Sequence, residues 1–331
     1  MTVGRVPSRA DGRVGAVDIG ATKVLVGLAN QAGQLLKNSV IRFETPQEPA
    51  ALVEAIVIAL AQVGGRDVRA IGCAVPGPLD ASTGTLVRLH NRNWENVPLG
   101  PMLSDQAGVA VVLEDDATAA ATGEALQGAG AGCDPVAYLT VSSGVGAGIV
   151  IGGLALRGAH GFAGEVGHLV IDPSGPLCGC GRRGDVESYA GGLCLLRRLE
   201  AHLPGLAGED AEPALDTVIS PASVETVFAL ARAGHPVASE LIGEARYAVS
   251  FALAALAAVC DPERIVVGGS VALRQPGFLE TAAEGARELV MAETGAFIDV
   301  RRASLGDNSA LAGAAILGAR LAPVPVTPTR G

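Results

Sequence analysis

The sequence repeats one design, in which a buried strand is followed by a glycine turn and a second buried strand. The first copy runs from Val14 to Ala29 around DIGATK, and the second is YLTVSSGVGAGIVIGG at 138–153. Because a strand returns after each turn, neither copy is the strand–turn–helix of a Walker loop or a dinucleotide fingerprint. Two such hairpins in two successive α/β units indicate an internally duplicated α/β protein.

The composition favours tight packing of helices on sheets and argues against several kinds of partner. Hydrophobic residues make up 49% of the 331 residues and aromatic residues only 3%, while 45 residues are glycine. We therefore expect a core of Ala, Val, Leu and Ile. The formal net charge of −10 argues against a nucleic acid or an anionic membrane surface as partner. Six cysteines without a regular framework predict reduced thiols and a cytoplasmic protein.

The chain is long enough for two domains, each with its own core. We expect a disordered leader at 1–12, a disordered tail at 322–331 and a hinge within 128–135. A small N-terminal lobe is predicted from 13–127 with 308–321, and a large C-terminal lobe from 128–307. Apolar periodicity predicts helices at 49–63, 116–126, 188–202, 222–233, 236–259 and 308–321.

Three glycine turns, each at the end of a predicted strand, are candidates for nucleotide binding. In DIGATK, Gly20, Thr22 and Lys23 offer close backbone approach, a hydroxyl and a positive charge to phosphate, and Asp18 would face hydrated Mg²⁺. The second turn supplies Ser142, Ser143 and Gly144. The third, Gly268, Gly269 and Ser270, would let backbone approach a flat ring. Each turn alone is equally compatible with an ordinary hairpin or strand end; together they suit a nucleotide lying across a cleft.

Two adjacent carboxylates stand where a predicted strand meets a predicted helix, in LEDDATAAATGE at 113–124. One carboxylate at this position is explained as a helix N-cap. Folding does not require the second, since neighbouring carboxylates repel each other. We therefore assign Asp116 as a general base that takes a proton from a hydroxyl attacking phosphorus, with Asp115 beside it.

The segment GFAGEVGHLVIDPSGPLCGCGRRGDVE at 161–187 combines imidazole, thiol and carboxylate side chains within a glycine-rich stretch. Its set of His168, Cys178, Cys180 and Asp185 has the composition of a zinc site. The alternative is a polar loop with two reduced thiols. Cys-x-Cys alone would favour that alternative; with His168, Asp185 and the surrounding glycines the zinc hypothesis is favoured, and a metal would fix a loop that has little apolar content.

Taken together, these motifs resemble the ROK family (repressors, open reading frames, kinases) of the actin/hexokinase-like ATPase superfamily. The resemblance covers roughly 14–321. DIGATK resembles DIGGTK, LEDDATAAATGE resembles LENDANAAALGE, and TVSSGVGAG resembles TVGTGVGGG. GEVGH and CGCGRRGDVE resemble the sugar and zinc signatures, PGPLD and HNRNW resemble segments of the sugar cleft, and DPERIVVGGSVA resembles the adenosine segment. The resemblance implies two actin-like (ribonuclease H-like) lobes with a nucleotide and sugar cleft between them.

By the same resemblance, the protein transfers the γ-phosphoryl group of ATP, with Mg²⁺, to a hydroxyl of a hexose, glucose being the default. Asp116 would be the catalytic base. The implied sugar ligands are Asn91, Asp115, Glu165, His168 and Glu187. The implied nucleotide ligands are Asp18, Gly20, Ala21, Thr22, Lys23, Ser142, Ser143, Gly144, Gly268 and Gly269. A homodimer or homotetramer is expected, and no helix-turn-helix leader precedes the first strand, which favours a kinase over a repressor.

Two departures from the family pattern carry consequences. Asp115 stands where the family has Asn, so it can accept a sugar hydrogen bond but cannot donate one. This favours, as a second hypothesis, a modified sugar or a cyclitol as substrate. Asp185 replaces the third zinc cysteine, so zinc is bound by a mixed ligand set or is absent. From another functional class, a non-catalytic sugar-sensing protein would also keep the cleft.

Overall fold

The computed structural model describes residues 12–89, 94–202 and 223–321. By its internal contacts the chain divides into two compact units. The first unit comprises the described parts of Met1–Ala131, Arg157–Phe162 and Asp307–Gly331, and the second comprises those of Gly132–Leu156 and Ala163–Gly306. The two predicted lobes remain a prediction, because a division by contacts does not test independent folding. The predicted leader, apart from Gly12, and the predicted tail lie outside the described residues.

A five-stranded mixed sheet forms the centre of the first unit, in the order β3-β2-β1-β4-β8. Its strands are β1 (Val14–Ile19), β2 (Lys23–Ala29), β3 (Ile41–Glu44), β4 (Ala70–Val75) and β8 (Ala110–Asp115). Strands β1 and β2 form the predicted antiparallel hairpin, and β1, β4 and β8 are parallel. A second, three-stranded sheet contains β5 (Leu79–Asp80), β6 (Thr85–Leu89) and β7 (Trp94–Val97).

Four helices cover the two faces of this sheet: α1 (Pro49–Gln62), α2 (Leu99–Ala107), α3 (Asp116–Gln127) and α11 (Ser309–Leu321). Side chains alternate along a strand, so Val17 and Ile19 of β1 join the cluster with α1 and α2, whereas Val14 and Ala16 join the cluster with α3 and α11. Helix α11 lies very close to its neighbours. A β-carbon at Gly72 would collide with the carbonyl oxygen of Ala314. This packing explains the use of small residues and the scarcity of aromatic ones.

The sheet of the second unit repeats the same plan, with the order β11-β10-β9-β12-β13. Its strands are β9 (Val136–Val141), β10 (Val145–Ile151), β11 (Leu154–Ala155), β12 (Arg264–Gly268) and β13 (Val300–Arg302). Again the first two strands form an antiparallel hairpin, and β9, β12 and β13 are parallel. The shared order and directions support the internal duplication that the two hairpins indicate.

The helices of the second unit surround one apolar core. They are α4 (Val186–Ala190), α5 (Gly192–His202), α6 (Val224–Arg232), α7 (Pro236–Cys260), α8 (Ser270–Leu273), α9 (Phe278–Glu288) and α10 (Ala292–Phe297). The single helix predicted at 188–202 is wrong. Gly191 has extended backbone angles and ends α4, so that α5 begins as a new helix at Gly192.

Helix α7 is, among the described residues, the one helix long and apolar enough to cross a membrane by length and composition. Of its most apolar 18-residue window, 56% is buried inside the protein. Leu241, Val249 and Leu253 belong to the core of the second unit. A core helix of a folded domain passes the same test, so α7 is weak support for a membrane span.

Candidate functional site

The turn between β1 and β2 is held by a residue that the sequence analysis did not single out. The N–H of Gly20 donates to the carbonyl oxygen of Lys23 at 2.8 Å. Thr45 is buried; its hydroxyl donates to the carbonyl oxygen of Gly20 at 2.8 Å, and its N–H donates to that of Thr22 at 3.1 Å. The predicted phosphate turn, which also includes Ala21, is thus fixed in shape by Thr45.

Asp18 lies near the end of β1, where burial disfavours its charged form. Burial raises the pKa of Asp18 to about 6; Lys23 opposes the rise, and Asp307 adds to it. The Lys23 ammonium lies 3.4 Å from the Asp307 carboxylate. Asp307 precedes α11 and was not predicted as a site residue, because an acidic residue before a helix has an ordinary capping explanation. A hydrated Mg²⁺ would favour the ionised form of Asp18, and carboxylate oxygen is a ligand that this ion prefers, so the residues fit it.

The two adjacent carboxylates have different structural roles. Asp115 is the N-cap of α3, and its Oδ2 accepts a hydrogen bond from the N–H of Thr118 at 3.0 Å. Burial is the main cause that raises the pKa of Asp115. Asp116 is the first residue of the helix. Capping therefore accounts for Asp115 and does not account for Asp116.

Asp18 and Asp115 lie at the same edge of the first sheet. Asp18 pairs with Ala74 on β4, and Ala74 pairs with Glu114 on β8. Because neighbouring strands are about 4.8 Å apart, the ends of β1 and β8 are separated by about 10 Å. The carboxyl ends of parallel strands are a common place for ligand sites in α/β folds.

Glu114, directly before these carboxylates, is neutralised by an arginine distant in sequence. The Glu114 side chain is 5% exposed, and Arg157 Nε donates to its Oε2 at 2.7 Å. Burial raises the pKa of Glu114, and the hydrogen bond and charge of Arg157 oppose the rise. Arg157 therefore compensates one of three consecutive acidic side chains. The sequence analysis missed this pair, because the two residues are 43 positions apart.

The second hairpin turn and the third glycine turn meet in the second unit. The Ser142 N–H donates to the carbonyl oxygen of Gly144 at 2.9 Å, and the hydroxyls of Ser142 and Ser270 lie 3.3 Å apart. Strand β12 ends at Gly268, and Gly269 has a φ of +88°, which favours glycine. The predicted nucleotide residues Ser142, Ser143, Gly144, Gly268 and Gly269 therefore lie on two adjacent turns.

The four predicted metal ligands also come together. One ligand atom from each of His168, Cys178, Cys180 and Asp185 lies within 4.8 Å of every other. His168 Nδ1 is 3.0 Å from Asp185 Oδ2 and 3.8 Å from Cys178 Sγ, and Cys180 Sγ is 3.4 Å from Asp185 Oδ2. Tetrahedral zinc with ligands at 2.0–2.3 Å requires ligand atoms about 3.3–3.8 Å apart. The set fits zinc after small adjustments.

Asp185 divides its two oxygens between the cluster and a helix. Oδ1 accepts a hydrogen bond from the Ser188 N–H at 2.8 Å, which caps α4, while Oδ2 faces His168 and Cys180. Burial opposes the charged form of His168, but the hydrogen bond that its ring donates to Asp185 and the charges of nearby carboxylates outweigh burial and raise the pKa of His168. With Nδ1 turned to the cluster, Nε2 is the ring nitrogen left for a substrate.

The contacts of the described residues connect only some of the predicted sugar ligands. Glu165 is exposed and directly precedes the short 3₁₀ turn Val166–His168. Glu187, on α4, accepts a hydrogen bond from the Val145 N–H at 2.9 Å and lies 3.6 Å from the Cys178 sulfur. Asn91 lies outside the described residues. Glu165, His168 and Glu187 belong to the second unit, and Asp115 belongs to the first.

Comparison with known proteins decides the family. Residues 14–320 match the ROK family. The chain belongs to the ROK family. It is 34% identical over 314 residues to a glucokinase of Streptomyces coelicolor, covering 93% of this chain and 98% of the relative. It is 31% identical to an N-acetylmannosamine kinase of Shigella boydii serotype 18, covering 91% and 97%.

A solved structure supports the same assignment. The ROK family glucokinase from Streptomyces griseus, in complex with glucose and AMPPNP, matches with a TM-score of 0.77 at 34% identity, covering 93% of this chain and all of that one. The predicted family and the α/β, actin-like fold are confirmed. The predicted enzyme class, a sugar phosphotransferase, is confirmed as well.

Proposed function

We propose that this ROK protein is an ATP-dependent kinase that phosphorylates a hydroxyl of a hexose, with glucose as the first candidate. The observation that carries the assignment of the base is the position of Asp116, which begins α3 directly after β8, at the carboxyl edge of the parallel strands. The glucokinase relative supports glucose, and the glucose and AMPPNP complex of the Streptomyces griseus enzyme supports both ligands.

In the proposed reaction, Asp116 accepts the proton of the attacking sugar hydroxyl. The hydroxyl oxygen forms a bond to the γ-phosphorus, the bond from that phosphorus to the β–γ bridging oxygen breaks, and ADP leaves. The turns at Gly20–Lys23 and Ser142–Gly144 would hold phosphate oxygens, and Gly268–Gly269 the adenosine. Asp18 would hold hydrated Mg²⁺, which supplies positive charge against the phosphate oxygens.

We assign the four-residue cluster a structural role. Zinc held by His168, Cys178, Cys180 and Asp185 would supply rigidity to a loop that has little apolar content. A neutral His168 bound through Nδ1 carries its proton on Nε2 and can donate it in a hydrogen bond to a sugar oxygen. Glu165 and Glu187 would accept hydrogen bonds from sugar hydroxyls, with Asn91 near the same pocket. We further expect a cytoplasmic homodimer or homotetramer without a nucleic-acid or membrane partner.

Asp115 supports a second candidate substrate, a modified sugar or a cyclitol. Its Oδ2 accepts the capping hydrogen bond of α3, and an ionised carboxylate can only accept hydrogen bonds from a substrate. A ring with a different pattern of hydroxyl or amine donors would satisfy it better than one that needs a donor. The N-acetylmannosamine kinase relative is in keeping with a substrate other than glucose. A non-catalytic sugar sensor is the alternative from another class.

The experiment is a substrate panel with ATP·Mg²⁺ or polyphosphate as donor. The panel contains glucose, mannose, fructose, their amino and N-acetyl forms, and several cyclitols; ADP release and the mass of the phosphorylated product are measured. The proposal predicts turnover of at least one panel member. Absence of turnover, with sugar binding detected, would support the sensor.

Asp115→Asn is expected to shift the substrate preference toward glucose, and an unchanged substrate profile would show that Asp115 does not set specificity.

A further inference from the structure

Glu187 makes a contact that a sugar ligand does not need. Its Oε2 accepts a hydrogen bond from the Val145 N–H at 2.9 Å. Val145 is the first residue of β10 and directly follows the turn Ser142–Gly144, the proposed phosphate turn of the second unit. A carboxylate placed on α4 for the sugar thus also holds the backbone of the nucleotide hairpin.

The turn of the second hairpin leaves room for the Glu187 carboxylate at Gly144. A β-carbon at Gly144 would collide with Glu187 Oε2, so a side chain here would displace the carboxylate; Gly144 has no positive φ, so its role is to leave space rather than to adopt a special backbone conformation. The start of the next helix, α5, also contacts the turn. The N–H groups of Gly192 and Leu193 donate to the carbonyl oxygens of Ser142 and Ser143 at 2.8 and 3.1 Å.

The second carboxylate oxygen is the one available to a substrate. Oε1 lies 3.6 Å from the Cys178 sulfur, whose thiol is a weak donor. A sugar hydroxyl is a stronger donor than this thiol, so Oε1 can accept from the sugar while Oε2 stays on the hairpin.

We propose that Glu187 is a positioning residue for the nucleotide as well as a ligand of the sugar, so that it links the two sites. This inference rests on the proposed kinase function. A bound sugar fixes the Glu187 side chain and thereby the Ser142–Gly144 turn, and a bound nucleotide fixes the turn and thereby Glu187. Such a coupling is reciprocal in the two binding free energies.

The test measures the affinity for AMPPNP·Mg²⁺ without sugar, and for glucose without nucleotide, by calorimetry. Glu187→Ala removes the acceptor of the Val145 N–H and is expected to weaken nucleotide binding about 5- to 30-fold. Glu187→Gln keeps a neutral acceptor, so nucleotide binding should stay within about threefold of wild type while glucose binding falls. Glu240→Ala, an exposed glutamate on α7, is the matched control.

Gly144→Ala tests the same link from the opposite side. Its methyl group would displace Glu187, so glucose binding should weaken about fivefold or more, although Gly144 lies on the nucleotide turn. Zinc content and the thermal midpoint of each variant are measured alongside. Unchanged nucleotide affinity in Glu187→Ala would overturn the link and leave the kinase proposal standing. If the wild-type protein binds no nucleotide, the kinase proposal itself fails, and the link fails with it.

Discussion

Asp18, on the first strand of the first hairpin, carries a carboxyl group whose charge is unfavourable in the free protein. Its carboxyl is held where burial disfavours charge, and the nearby Lys23 ammonium is shared with Asp307. In the free protein this arrangement is unfavourable near neutral pH. A divalent cation, bound together with a nucleotide phosphate, would provide the positive charge that stabilises the ionised Asp18. The unfavourable burial of this carboxylate is therefore consistent with a Mg²⁺ site.

The pH dependence of stability tests this account of Asp18. Moving its pKa from the ordinary value of 3.8 to about 6 corresponds to about 3 kcal/mol at most. Between these pH values the folded protein keeps a proton that the unfolded chain has released, so stability falls as pH rises. Asp18→Asn should therefore raise the free energy of unfolding at pH 7.5, and the gain should shrink toward pH 4. Urea unfolding at both pH values measures it; a gain that does not change with pH contradicts the assignment.

Helix α4 is the element that joins the metal cluster to the rest of the second unit. Asp185 caps the helix with one oxygen and faces the cluster with the other. Glu187, the second residue of the helix, accepts a hydrogen bond from the second hairpin. The carboxylate of Asp185 thus both caps α4 and faces the candidate metal cluster. A cysteine, which the family has here, could ligate the metal, but its sulfur would be a weaker acceptor for the cap.

Two variants distinguish the proposed metal-binding role of Asp185 from its helix-capping role. Asp185→Asn keeps an oxygen that can accept from the Ser188 N–H but loses the charge, whereas Asp185→Ala loses both. Both should reduce the zinc content measured by inductively coupled plasma mass spectrometry. In the presence of a chelator, the alanine variant should be less stable than the asparagine variant by about 1 kcal/mol. Wild-type zinc content in Asp185→Asn would show that this carboxylate is not a ligand.

The Arg157–Glu114 ion pair lies within the first unit and joins the segment Arg157–Phe162 to β8. Arg157→Gln leaves a buried carboxylate without its counter-ion and should cost on the order of 2 kcal/mol, reduced by the 46% exposure of the arginine. The double variant Arg157→Gln/Glu114→Gln should recover most of the loss in urea unfolding. If the double variant is no more stable than the single one, the pair does not act through charge.

Local patterns predicted the elements with strong periodicity and missed those defined by distant partners. Both hairpins, α3 and α7 lie where the sequence predicts them. Strands β3 and β13 were missed because they are short edge strands with exposed positions, and α2 follows Pro98 without a marked apolar period. The site divides in the same way. The metal ligands could be found from residue types, but the contact from Glu187 to Val145, 42 residues apart, depends on the folded chain.

At the scale of the whole molecule, the protein is a duplicated α/β fold in which the first two strands of each five-stranded sheet form a hairpin. The residues proposed for transfer are divided between the two copies. Asp18, Lys23, Asp115 and Asp116 belong to the first unit, and the second hairpin belongs to the second unit with Glu165, His168, Glu187 and the candidate metal cluster. Duplication thus accounts for two similar turns, while the proposed base lies in one unit and most of the proposed sugar and metal ligands lie in the other.

The most direct measurement of the central claim compares phosphoryl transfer with sugar binding in Asp116→Asn. The sugar is the best substrate of the panel, and Asp105→Asn, an exposed residue of α2, is the matched control. We predict that kcat falls by about 10²- to 10⁴-fold while the Kd for the sugar stays within about threefold of wild type. Turnover close to wild type in Asp116→Asn would contradict the account, because the proton of the sugar hydroxyl would then have another acceptor.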